Sequence, residues 1–126
     1  MLRNTFVKVS LFLFLSLPIS LASADTVDVS GTWQLTVLDT GRTFTPVFVF
    51  SQEGEILTGT YRNSQGDNPA KGTVNGNEVT MSGEITGRDG NKRWVTYTGV
   101  VKGDTMSGKF QTSRADVNFT AKRESK

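Results

Sequence analysis

The chain reads as an all-β protein: an antiparallel, up-and-down, eight-stranded β-barrel that follows an N-terminal signal peptide. Three observations carry this expectation. First, apolar and polar residues alternate, with Trp33, Leu35 and Val37 set against Thr32, Gln34 and Thr36. Period two marks a strand with one buried face. Second, turn signals cut the chain at short intervals and leave no room for a helix, so each strand runs antiparallel to the one before. Third, one phrase, apolar–x–Gly–x–apolar, occurs six times: VSGTW (29–33), LTGTY (57–61), AKGTV (70–74), MSGEI (81–85), YTGVV (97–101) and MSGKF (106–110).

The first 24 residues stand apart from this pattern. Arg3 and Lys8 flank a basic start, and an apolar run, VSLFLFLSLPIS, follows. The run falls short of the ~20 residues a spanning helix needs. It ends in Ala22-x-Ala24, so residues 1–24 read as a secretory signal peptide. Cleavage leaves 25–126 as one small barrel domain, exported to a bacterial periplasm or beyond, with no membrane span.

Seven turn signals divide the rest: DTGR (39–42), EGE (53–55), SQGDNP (64–69), NGN (75–77), RDGNK (88–92), KGD (102–104) and TSRAD (112–116). Strands are expected near 29–38, 44–52, 56–62, 69–75, 78–87, 93–101, 105–111 and 117–123. Asn75–Gly76 suits a tight hairpin, where positive φ is required. Pro46 has no N–H to give a ladder, so an irregular stretch is expected around it. The central glycines share a face with their apolar neighbours, which makes that face the inner one. Inward glycines let a short sheet coil and close, and they leave space for the rings of adjacent strands.

Charge and composition exclude several classes. Arg3 and Lys8 supply two of 14 basic residues, so the other 12 balance the 12 acidic ones in the exported part. The chain has no long basic run either, and it is not expected to bind nucleic acid. It has no Cys and no His, which removes the usual nucleophiles, bases and zinc ligands. Asp39, Glu53, Glu55, Asp89 and Asp104 fall in turns, and Glu84 projects outward, so no carboxylate pair shares an inner face. An enzyme is not expected, nor a metal or cofactor.

With these elements in place, a family resemblance emerges. GTW (31–33) opens the first strand and FTAKR (119–123) closes the last. The calycins (lipocalins, fatty-acid-binding proteins and avidins) share a G-x-W at the start of their first strand. A basic residue of their last strand packs across that Trp. Gly31, Trp33 and Arg123 (or Lys122) resemble that set, which implies a structural role in closing one barrel end. LTGTY is similar to the third strand of avidin. The biotin-stacking tryptophans are mostly replaced, by Tyr97 and Phe119 among others, so biotin binding does not carry over. Taken over nearly the whole exported part, the phrases look like those of small exported bacterial domains of unassigned function.

Function is expected to be binding rather than catalysis. Phe48, Phe50, Tyr61, Tyr97, Met106, Phe110 and Phe119 face inward and would line a lumen for a small apolar or aromatic ligand. A barrel this small can equally be filled by those same side chains. The alternative is a monomeric module that binds a protein partner, as secreted protease inhibitors do. It would act through the segment 25–30 or through an outward Trp94 beside Arg93.

Overall fold

The computed structural model describes residues 26–112 and 115–125. The expected signal peptide at 1–24 lies outside the described residues. Nine strand segments follow in order: β1 (Gly31–Asp39), β2 (Arg42–Phe44), β3 (Val47–Glu53), β4 (Ile56–Asn63), β5 (Gly66–Asn75), β6 (Glu78–Thr86), β7 (Lys92–Lys102), β8 (Thr105–Gln111) and β9 (Asp116–Arg123). Neighbours in sequence pair antiparallel from β3 to β9, and β9 returns to β1 from Trp33↔Arg123 to Val37↔Phe119. The sheet is therefore a closed barrel of eight staves.

The second stave is the one that departs from a simple strand. β3 pairs β1 up to Gln34↔Val47, and β2 pairs it again from Val37↔Phe44. The count is equal on both sides, so the stave keeps its register across Thr45–Pro46. The main-chain ladder narrows there to one bond, Leu35 N–H to Pro46 O at 2.9 Å. Pro46 has no N–H to return, which is the physical reason for the split.

One expectation needs correction. The loop expected at 64–69 is only a tight turn at Ser64–Gln65, because β5 begins at Gly66. Arg62 and Asp67 face each other across that hairpin and form an ion pair at 2.7 Å. Among the described residues the barrel leaves one free edge: β2 pairs only with β1, while β4 has already turned back into β5 beside it.

The core runs up the lumen from one end. Trp33, Leu35, Phe48, Leu57, Val74, Val79, Met81, Tyr97 and Phe119 are buried there. The glycines act as the phrase repetition suggests. A Cβ at Gly83 would enter the ring of Tyr61, and one at Gly59 or Gly108 would strike the backbone of the next strand.

Candidate functional site

The two barrel ends differ. At one end β1 begins, and Arg123 lies over the Trp33 ring, 4.7 Å from its centroid. Arg123 Nη1 donates to Asp28 O at 2.9 Å and Ser30 O at 2.8 Å, and Nη2 donates to Gly103 O at 3.1 Å. Its Nε meets the Asp104 carboxylate at 2.9 Å. Residues 26–30 cross this end. Val29 is fully buried, and its carbonyl accepts the Trp33 indole N–H at 2.9 Å. The Gln52 side chain binds this segment twice, through Val29 N–H and Val27 O. The described part of the 25–30 segment is thus a plug, held through its main-chain groups. Gly31, at φ +111°, passes close to the Arg123 stem, where a side chain would be both strained and crowded.

The seven inward residues separate into two groups. Phe48, Phe50, Met106 and Phe119 are buried in packed layers. Phe48 stacks on Phe50 with centroids 5.0 Å apart, and Phe119 meets Tyr97 edge-on at 5.4 Å. That part of the lumen is filled by its own side chains. Tyr61, Tyr97 and Phe110 form the layer above and line an opening.

The opening is a cavity of about 720 Å³. Tyr97 stacked on Phe110, with centroids at 4.5 Å, makes its floor. The Tyr61 and Tyr97 hydroxyls share a hydrogen bond at 2.8 Å. Burial pushes the pKa of both hydroxyls up, so both stay protonated at neutral pH. Two hydroxyls joined by one bond keep a further proton to donate. One wall is Thr43–Val47 of the split stave, and the other is Arg62–Gln65 at the β4–β5 turn. The cavity is therefore a notch: the second stave continues upward where the third has ended.

Sequence reasoning missed the notch walls. Pro46 was the signal available, since an irregular stretch beside a lumen opens it sideways. Arg93 and Trp94 do not form one patch. Arg93 folds onto Asp89 of the β6–β7 loop, at 3.0 Å, while Trp94 lies on the opposite face under Lys71, whose Nζ is 4.2 Å from the ring centroid. Trp94 remains 42% exposed, with this lysine as its cover.

Among the described residues no cluster of three or more His, Cys, Asp or Glu could hold a metal ion. No helix among them is long and apolar enough to cross a membrane. No protein-family model and no curated protein matches the chain. A solved structure of a redesigned β-barrel is similar to it, with a TM-score of 0.57 and 19% identity over 77% of this chain and 92% of that one. At that identity the likeness shows the barrel fold alone.

Proposed function

We propose that the protein is an exported, calycin-like binding barrel that takes a small aromatic or apolar ligand at its open mouth. The deep lumen does not serve this role, because Phe48, Phe50, Met106 and Phe119 already fill it. The observation that carries the reading is the notch: about 720 Å³, floored by stacked rings, with the Tyr61–Tyr97 hydroxyl pair at its base. A ring would lie against Phe110, and an acceptor atom would take the remaining hydroxyl proton. The Gly31–Trp33–Arg123 arrangement at the other end supports the calycin-like assignment.

The test is a titration of isotope-labelled protein with p-cresol, followed by NMR. Shifts are expected at Phe44, Tyr61, Tyr97 and Phe110, with Trp33 unmoved. Phe110→Ala should weaken the binding and leave the fold intact, since Phe110 is only partly buried. No shift at millimolar p-cresol, or shifts spread over the outer surface, would overturn the reading.

A further inference from the structure

The notch has a main-chain wall as well as side chains. β1 and β2 are joined by Thr40–Gly41, with φ of 46° and 80°, the positive values of a two-residue hairpin turn. In such a hairpin the residues that close the turn, Asp39↔Arg42, exchange both main-chain hydrogen bonds. The next pair, Leu38↔Thr43, therefore directs its N–H and C=O groups away from one another. On the β2 side those groups point to the free edge. Thr43 lines the cavity, so the free edge opens into the notch. β4 cannot meet it, because Arg62 is the last β4 residue paired with β3 and the chain turns back at Ser64–Gln65.

Charge narrows the occupant further. Among the described residues of the lining Arg62 alone is charged, and Asp67 pairs with it at 2.7 Å. Among the described lining residues an ionic ligand would find no unpaired counter-charge, and Arg42 beside them is engaged over the Phe44 ring, 5.0 Å from its centroid. A neutral group with adjacent N–H and C=O would satisfy Thr43 on both. An extended peptide carries that pair at every other residue on one edge. Opposed residues in a ladder share a face. Phe44 lies opposite the buried Val37 and so sits on the lumen face. The peptide residue beside the one that meets Thr43 would thus send its side chain inward, toward Tyr97 and Phe110.

We propose that the notch receives a short, uncharged, extended peptide segment, which adds as a strand to Thr43 and places one aromatic or large apolar side chain on the Tyr97–Phe110 floor. This rests on reading the mouth as a ligand site. It goes beyond that reading by making the main chain of the ligand, and not only its ring, a recognised feature.

The experiment uses the folded protein unaltered and varies the probe. Labelled protein is titrated with acetyl-Thr-Phe-Thr-amide, with the same peptide methylated on both threonine main-chain nitrogens, with acetyl-Thr-Ala-Thr-amide and with p-cresol. The parent peptide is expected to move the Thr43 and Phe44 amides and the Tyr97 and Phe110 rings. Methylation should weaken binding about fivefold, the worth of one net hydrogen bond, and the alanine peptide should bind more weakly still. If p-cresol binds and the peptide does not, or the methylated peptide binds as well as its parent, the peptide inference fails while the mouth remains a ligand site. If nothing binds, both readings fall. A shift at Thr43 that grows with protein concentration alone would give the edge to a second copy, and would also overturn the proposal.

Discussion

Arg123 lies over Trp33, 4.7 Å from the ring centroid, while its two Nη atoms reach three carbonyl oxygens, of Asp28, Ser30 and Gly103. One residue thus joins the last strand to the first, to the β7–β8 turn and to the plug. Trp33 is fully buried. Trp33→Ala should cost about 3–5 kcal/mol, a large part of the total stability of a domain this size. Arg123→Met keeps the apolar stem but strands the carbonyls, at about 1–3 kcal/mol. Denaturant unfolding of both variants checks this, and an unchanged midpoint for Trp33→Ala would remove the barrel-end account.

Trp33 and Arg123 were legible in the sequence because both ends of the chain carry a short, well-spaced phrase. The inward register was legible for the same kind of reason. Period two fixes every side chain once one residue is placed, so Phe48, Tyr61, Tyr97 and Phe119 could be assigned together. The notch was not legible. It depends on stave lengths, and the run from Ser64 to Pro69 offers turn residues throughout while the chain uses only two of them. The plug was hidden too, because its fixings are main-chain carbonyls and the side chain of Gln52, which leave no pattern in the residues 26–30 themselves.

Gly83 should be replaceable only when Tyr61 is trimmed. A Cβ at position 83 enters the Tyr61 ring, which is itself held between Phe48 and Tyr97. Gly83→Ala is expected to cost about 1–3 kcal/mol, the usual range for overpacking. In a Tyr61→Ala background the same change should be neutral or favourable. A double-mutant cycle by chemical denaturation reads the coupling, and additivity within about 0.5 kcal/mol would mean the two sites are independent.

The tyrosine pair should make the protein sensitive to alkali. Burial raises both hydroxyl pKa values, and for Tyr97 the nearby Tyr61 adds to the rise. In the unfolded chain tyrosine ionises near its ordinary value of about 10. Below that pH both states are protonated and the contribution is fully present. Above it the unfolded state sheds protons that the folded state keeps, so stability falls with rising pH. The slope approaches about 1.4 kcal/mol per pH unit for each tyrosine. Urea midpoints from about pH 8 to about pH 11 should show the decline, and Tyr97→Phe should roughly halve its slope. A flat profile in the parent protein would mean the hydroxyls are not held in a dry site.

Removing the plug should loosen the whole closed end. Trimming through Ser30 takes the buried Val29 out of the core, at about 1.5–3 kcal/mol for its side chain. It also leaves the Trp33 indole N–H, donating to Val29 O at 2.9 Å, without its acceptor in a buried site. An unsatisfied buried donor adds about 1–3 kcal/mol. Gln52 and Arg123 lose partners in the same step. A chain starting at Gly31 should therefore unfold well below the melting temperature of one starting at Thr26, and Val29→Ala should fall between them. A frayed terminus behaves otherwise, because its loss removes no buried contact. If the trimmed chain melts with the parent, residues 26–30 are a free arm in solution, and a partner-binding role for them returns.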